Sequence, residues 1–187
     1  MTVSPEPAYG TPVDTDGVRL ERLLPGPIER VWHYLTDPDA RATWLAAGAM
    51  ELRVGGRVEH VFRNNTLTQD DDPPPAKYAD IADECRFEGR VTACDPPRLL
   101  AYTWPEADGD ESEVRFELAS VGAKVRLVVT HRRLLSAATR LSVAAGWHAH
   151  LGVLRARLEG REPEGFWRSF VRLEAEYARR LDGEVAR

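Results

Sequence analysis

The sequence predicts an α+β fold in which a curved antiparallel sheet wraps around one long helix near the C-terminus. Three observations support this class: an amphipathic stripe within residues 134–160, several earlier segments in which apolar and polar residues alternate, and short turns between those segments. A period of two is typical of half-buried strands, whereas spacings of three and four are typical of a helix. The helical stripe consists of Val143, Trp147, Leu151, Leu154 and Leu158.

Length and composition limit the class of protein. The chain has 187 residues, 43% of them hydrophobic and 29% charged, which fits a single globular domain with one core. The net charge is −5 and the basic residues are scattered, so we expect no nucleic-acid surface, which would need clustered Lys and Arg. No apolar run approaches the ~18–20 residues that span a bilayer, so we expect no membrane span.

Residues 1–16 are expected to be a disordered leader. They are rich in Pro, Gly, Thr and Asp and carry neither a basic start nor an apolar segment, so they do not resemble a secretory signal. Without an export signal, the protein is expected in the cytoplasm. Cys85 and Cys94 are too few for a disulfide framework, and we interpret both as inert, reduced thiols.

The first part of the domain indicates a strand, two short helices and a hairpin. Residues 18–23 alternate between apolar and charged side chains, and Pro27 suits the first position of a helix. A second short helix over 40–45 carries Trp44. Residues 50–62, with a Gly-Gly turn at their centre, predict the hairpin.

The segment 64–83 is expected to be a long loop. It contains three consecutive Asp followed by three consecutive Pro, and proline lacks the N–H that a central strand needs. Loops of about 20 residues are usually functional or disordered. A plain solvated excursion is the simpler interpretation, and a lid over a ligand is the alternative.

A meander of four strands leads into the long helix. The strands fall within 85–92, 100–104, 114–118 and 125–131. A last helix over 166–181 could cap an open sheet edge or contact a second subunit, so a monomer and a homodimer both stay open. We assign residues 17–160 to one domain and 161–187 to a helical extension packed on that domain.

Short motifs spread over residues 18–160 resemble those of a known superfamily. They are Trp44 with the Gly55-Gly56 turn, Gly89-Arg90-Val91, Asp95-Pro96-Pro97-Arg98-Leu99-Leu100, Tyr102, Trp104, Val114-Arg115-Phe116-Glu117-Leu118, Val129-Thr130-His131 and Gly146-Trp147. Together they resemble the START-like (SRPBCC) helix-grip superfamily, in the branch of the heat-shock protein 90 ATPase activator homologues. The resemblance implies a helix-grip fold with a cavity between sheet and helix. It implies no catalytic residue that can be mapped here.

Aromatic residues dominate the predicted inward faces and are the candidates for lining that cavity. The candidate set is Trp44, Phe62, Phe87, Tyr102, Trp104, Phe116, His131, Trp147, His148 and Leu151. Ordinary core packing explains inward aromatic side chains as well as ligand binding does. Tyr102 and Trp104 have polar tips that need partners, so they are the best candidates for orienting a ligand. His131 and His148 could meet at the cavity mouth, or each could be a satisfied or partly exposed histidine.

Metal and nucleophilic chemistry have little support in the sequence. On a helix, residues two apart point about 200° from each other, so His148 and His150 cannot hold one ion. No Cys/His spacing supplies the three or four ligands of a zinc site, and we expect no metal and no cofactor. Ser136 and Ser142 lack a plausible base-and-acid order, and no nucleophile elbow occurs.

Three functional hypotheses follow. The leading one is a non-enzymatic module that holds a small apolar or aromatic molecule between sheet and helix. The second is a protein-interaction module, with chaperone activation, regulation or stress response suggested by the name of the branch. The third is a cyclase- or hydrolase-type enzyme that uses one polar group, Tyr102, His131 or His148, in the cavity. A fully packed core would exclude the first and third, and an ionisable group at the cavity wall would favour the third over the first.

Overall fold

Seven antiparallel strands form one open sheet in a computed structural model of the chain, which describes residues 8–106 and 109–185. The strands are β1 (Thr11–Val13), β2 (Gly17–Pro25), β3 (Arg57–Phe62), β4 (Cys85–Asp95), β5 (Leu99–Pro105), β6 (Glu111–Val121) and β7 (Lys124–Arg132). Their order across the sheet is β1-β2-β7-β6-β5-β4-β3. The helices are α1 (Ile28–Thr36), α2 (Pro38–Ala42), α3 (Ala79–Ala82), α4 (Ala137–Leu158) and α5 (Phe166–Val185). The predicted α+β class, with a curved sheet against one long helix, is confirmed.

The strand β1 lies inside the predicted leader. Thr11 pairs with Arg19, and Val13 pairs with Gly17. The neighbouring Gly10 N–H donates to the hydroxyl of Tyr177 on α5 at 2.7 Å. The expectation of disorder is therefore wrong for these residues, because the open edge of β2 offers backbone partners that composition alone does not reveal. Residues 1–7 of the predicted leader lie outside the described part.

Residues 50–54 do not form the first strand of the predicted hairpin. Isolated bridges, Ala47 with Val61 and Met50 with Val58, join the stretch before β3 to that strand. The N–H groups of Arg53 and Gly56 donate at 2.8 Å to the carbonyls of Glu51 and Arg53, so residues 51–56 turn instead of extending as a strand. The fully buried guanidinium of Arg41 donates to the carbonyls of Ala46, Gly48 and Glu59 and holds the preceding stretch against β3.

Helix α4 is buried on two sides. Ser136 caps it by accepting the Thr139 N–H at 2.9 Å. Trp147 and Leu151 of the predicted stripe are buried, whereas Val143 is half-buried. Ala149, Val153 and other small residues outside the stripe are also buried, because α5 packs along this second face. The last helix therefore contacts α4 of its own chain.

Segment 64–83 packs against α5 and contains short helical turns. Thr68 Oγ1 accepts the N–H of Phe166 at 2.9 Å, and the Asp71 carboxylate accepts the N–H groups of Trp167 at 2.8 Å and Arg168 at 3.1 Å. These are N–H groups of the first turn of α5, which have no partner within the helix. The interpretation as a plain solvated excursion is wrong, because these side chains cap a helix that lies about 95 residues later in the chain.

Replacing Asp71 by Ala is expected to lower the free energy of unfolding by about 1–2 kcal/mol, since two N–H groups and the positive end of the α5 dipole lose their carboxylate. Urea denaturation followed by circular dichroism measures this change. Asp72→Ala is the matched control, because Asp72 is exposed and only pairs with Arg168 at 3.3 Å; its effect is expected within about 0.5 kcal/mol. Equal effects of the two substitutions would contradict the capping role.

Candidate functional site

A cleft of about 460 Å³ opens between α4, α5, the sheet and segment 64–83. Its volume falls in the range of small-molecule sites. No Asp, Glu, Lys or Arg lines it within the described part of the chain. The lining residues are Leu45, Phe62, Asn64, Tyr78, Ile81, Cys85, Phe87, Trp104, Pro105, His131, Ser142, Val143, Gly146, Trp147, His150, Phe166, Trp167 and Phe170.

Aromatic rings in mutual contact form the sheet side of the cleft. The ring centroids of Phe87 and Trp104 are 4.5 Å apart, and those of Phe62 and Phe87 are 5.4 Å apart and stacked. Trp104 meets Trp147 of α4 edge to face at 5.7 Å. Offset and edge-to-face contacts hold each ring in a defined orientation. The wall is therefore a preformed aromatic surface.

Hydrogen bonds to both ring nitrogens fix His131 at this wall. Its Nδ1 accepts the Trp147 indole N–H at 3.0 Å, so in the neutral ring Nε2 carries the proton and donates to Ser112 Oγ at 2.7 Å. The Ser112 hydroxyl in turn donates to the Glu106 carboxylate at 2.5 Å. Burial, with a smaller contribution from Arg133, lowers the pKa of His131 to about 3. The ring is a neutral group that orients the Trp147 indole.

His150 also lines the cleft, one helical turn beyond Gly146. Its Nδ1 lies 2.8 Å from the carbonyl oxygen of Trp44, and its ring lies 4.5 Å from that of Phe166. Burial lowers the pKa of His150 to about 4, with the Trp44 hydrogen bond acting in the opposite direction.

His60 lies behind the sheet wall. Its ring is within 4.9–5.3 Å of those of Phe87, Tyr102 and Trp104, and both of its nitrogens are buried without a hydrogen-bond partner among the described residues. Burial, followed by the nearby Arg41 charge, lowers the pKa of His60 to about 3. Unpaired buried nitrogens are costly, so this ring reduces the stability of the wall.

The structure brings five of the ten predicted site residues to the cleft. They are Phe62, Phe87, Trp104, His131 and Trp147. Tyr102, Phe116 and Leu151 are buried in the core beside the wall instead of facing the cleft. Leu100, Tyr102 and Trp104 lie at alternate positions of β5, but only Trp104 is far enough along the strand to reach the opening.

Trp44 and His148 do not face the cleft either. Trp44 follows the end of α2 instead of lying on the predicted helix, and its indole N–H donates to the Tyr34 carbonyl at 2.7 Å. His148 faces α5, where its Nδ1 lies 3.0 Å from the Tyr177 hydroxyl. Burial and three nearby arginines lower the pKa of His148 to about 3. His131 and His148 thus lie on different sides of α4 and do not meet at the mouth.

Sequence reasoning missed the half of the cleft formed by α5 and segment 64–83. The helix predicted over 166–181 includes Phe166 and Phe170, but the sequence indicates for it only a sheet edge or a second subunit as a partner. The side-chain oxygens of Tyr78 and Ser142 are 2.7 Å apart. No pattern in the sequence indicates that these two residues line the cleft. His150 was considered only as a metal ligand, although its i+3 spacing from Trp147 could have placed it beside the stripe.

Metal ligands and reactive thiols have no support in the described residues. No group of three or more His, Cys, Asp or Glu in that part of the chain could hold an ion. Burial raises the pKa of the Cys85 thiol, and burial together with Asp95 raises that of Cys94. Both shifts disfavour the reactive thiolate.

Within residues 8–106 and 109–185, no helix is both long and apolar enough to cross a bilayer.

Comparisons with known proteins identify the family. The family model described as Activator of Hsp90 ATPase homolog 1-like protein matches residues 25–159. The solution structure of the BPP1335 protein from Bordetella parapertussis is 43% identical, with a TM-score of 0.77 and coverage of 96% of this chain and 95% of that chain. No significant match was found among curated protein sequences.

More distant structures share the fold. CalU16 from Micromonospora echinospora has 21% identity and a TM-score of 0.63, with 87% of this chain and 85% of that chain covered. The EF2215 protein from Enterococcus faecalis, described as of unknown function, has 18% identity and a TM-score of 0.66, with 93% and 91% covered. The predicted resemblance is thus confirmed, and the chain belongs to the family of Activator of Hsp90 ATPase homolog 1-like proteins.

Proposed function

We propose that this protein binds a small, neutral, aromatic or apolar molecule in the cleft. The observation that carries the proposal is the lining itself: an open volume of about 460 Å³ among aromatic rings, with neutral imidazoles and without a charged side chain in the described residues. Each methylene that a ligand buries there is worth about 0.8 kcal/mol, whereas a charged group would lose hydration without gaining a partner.

Binding is favoured over turnover, even though ionisable groups reach the wall. His131 donates to Ser112, so it does not act as a base toward that hydroxyl, and Ser112 is fully buried. His150 has a pKa of about 4, far from the value near 7 that suits a general base at neutral pH. A non-enzymatic module in the cytoplasm is the function we propose.

Filling the cleft tests this proposal. Gly146 lies on the cleft side of α4, and a Cβ there would meet only Phe170 Cε2, at the ordinary contact distance of 3.9 Å. Gly146→Leu therefore places a side chain in the cleft without a clash of its Cβ. Gly152→Leu, on the exposed face of the same helix with nothing within 4 Å, is the matched control. Both changes remove a helix glycine, which favours the helix by about 0.8 kcal/mol.

A thermal-shift screen against neutral aromatic compounds provides the measurement. A ligand at about 100 times its Kd stabilises the fold by roughly 2.7 kcal/mol, or about 5–10 °C for a chain of this size. We expect wild type and Gly152→Leu to show the shift and Gly146→Leu to lose it, while the unliganded melting temperature of Gly146→Leu stays equal or higher. No shift across the panel, or an equal shift in Gly146→Leu, would contradict binding in the cleft.

A further inference from the structure

The tautomer of His150 follows from its hydrogen bond. The Trp44 carbonyl oxygen, 2.8 Å from Nδ1, can only accept a hydrogen bond, so Nδ1 must carry the ring proton. Trp44 is itself held in place by the bond from its indole to the Tyr34 carbonyl. A neutral imidazole protonated at Nδ1 leaves Nε2 with a free lone pair. The backbone therefore fixes which nitrogen of His150 is the acceptor.

The acceptor nitrogen is open to the cleft. His150 lines the cleft and is 6% exposed, and its Nε2 makes no hydrogen bond within the described residues. Unlike the two nitrogens of His60, His150 Nε2 is not sealed from solvent. The rings of Phe166 and Phe62, at 4.5 Å and 6.0 Å, flank the imidazole. A group that reaches Nε2 must therefore pass between aromatic surfaces.

Asn64 Oδ1 is also an unpaired acceptor among the described residues, but it is sealed from solvent, and the other polar side chains considered around the cleft have partners. The Trp147 indole donates to His131, and the Trp167 indole donates to Asn65 Oδ1 at 2.9 Å. The Ser142 hydroxyl is bonded to Tyr78, whose own hydroxyl reaches Glu174 at 3.2 Å. An oriented acceptor with an open lone pair distinguishes His150 from these groups.

We propose that His150 Nε2 is a specificity-determining acceptor, which selects aromatic ligands that carry a hydroxyl or N–H donor. The inference rests on the proposed function and narrows it to one ligand class. A ligand with the same body but without the donor leaves Nε2 dehydrated and unpaired, which weakens its binding.

A matched pair of probes tests the assignment in isothermal titration calorimetry. In 2-naphthol and 2-methylnaphthalene, a hydroxyl and a methyl group occupy the same position on the same ring system. We expect wild type to bind 2-naphthol about tenfold more tightly, as one buried hydrogen bond predicts. Equal affinities would overturn the inference while leaving the proposed function standing. Binding of neither probe would overturn the inference and count against the proposed function as well.

Two substitutions of His150 distinguish recognition of the ligand by Nε2 from a structural role of the side chain. The amide of His150→Asn can keep the donor to Trp44 but is too short to place an acceptor at the Nε2 position, whereas His150→Gln places an amide near that position. We expect His150→Asn to abolish the preference with less than about a threefold change for 2-methylnaphthalene, and His150→Gln to restore part of it. Ser142→Ala, at another polar position of the cleft, is expected to retain the preference. A preference that survives His150→Asn, or that Ser142→Ala removes instead, would overturn the assignment.

Discussion

Lowering the pH from about 7.5 to about 5 is expected to reduce the free energy of unfolding by at least about 6 kcal/mol, through three buried histidines and, to a smaller extent, the half-buried His148. His60, His131 and His150 are between 0% and 6% exposed, and their pKa values in the folded protein are about 3, 3 and 4. In the unfolded chain a histidine has a pKa of about 6.5. The unfolded state therefore binds up to three more protons between these values, and stability falls as the pH falls through that window.

Urea denaturation at a series of pH values measures the effect. Below about pH 5.5 the free energy of unfolding should change by at least about 4 kcal/mol per pH unit, which corresponds to three protons from the buried rings, with up to one more from His148. The total loss of at least about 6 kcal/mol between about pH 7.5 and about pH 5 approaches the whole free energy of unfolding of an ordinary domain. If the free energy of unfolding changed with pH by an amount that corresponds to one proton or less, the three rings would be hydrated or already charged in the folded state.

His60→Phe is the informative variant in that series. It removes one of the three buried groups and should reduce the slope by the amount that corresponds to about one proton. It should also maintain or raise stability near neutral pH, because the two unpaired nitrogens of His60 disappear from an aromatic cluster. His33→Gln, on the exposed side of α1, is the control substitution.

The parts of the fold that depend on local patterns were predictable from the sequence. Alternation placed Trp104, Val114 and Phe116 on inward-facing strand positions, and the stripe through Trp147 located the long helix. These residues follow a period that the backbone geometry imposes, so neighbours along the chain carry the information. The aromatic residues on the sheet side of the cleft were therefore predictable from the sequence.

Contacts between distant segments were not predictable in this way. Asp71 caps α5, which begins about 96 residues later in the chain. The sequence around Asp71 does not indicate which residues its carboxylate contacts. His148 and His150 illustrate the same limit on one helix: α4 is covered on both sides, so its apolar residues do not reveal which side faces the sheet. The packing of α5 determines which face of α4 lines the cleft. His150 lies on that face, whereas His148 does not.

Arg41→Met is expected to lower the free energy of unfolding by about 3–5 kcal/mol. The Arg41 side chain is 0% exposed, and its donors satisfy the carbonyls of Ala46 at 3.0 Å, Gly48 at 2.6 Å and Glu59 at 3.1 Å. Methionine fills similar space but leaves three acceptors unpaired, at a cost of about 1–3 kcal/mol each, partly offset by removing a buried charge. Burial also lowers the pKa of Arg41, as expected for a cation without a directly bonded carboxylate.

The surface ion pair of Arg53 offers a matched control for the same substitution. Arg53 belongs to the same irregular stretch, pairs with Glu51 at 2.9 Å and has 69% of its side chain exposed, so Arg53→Met is expected to change stability by less than about 0.5 kcal/mol. Equal effects in urea denaturation would refute the role of Arg41 as a backbone anchor. Since the anchored stretch begins beside Trp44, whose carbonyl sets the His150 tautomer, Arg41→Met should also weaken the preference for 2-naphthol. A destabilised protein that keeps the full preference would show that the His150 acceptor is positioned by α4 alone.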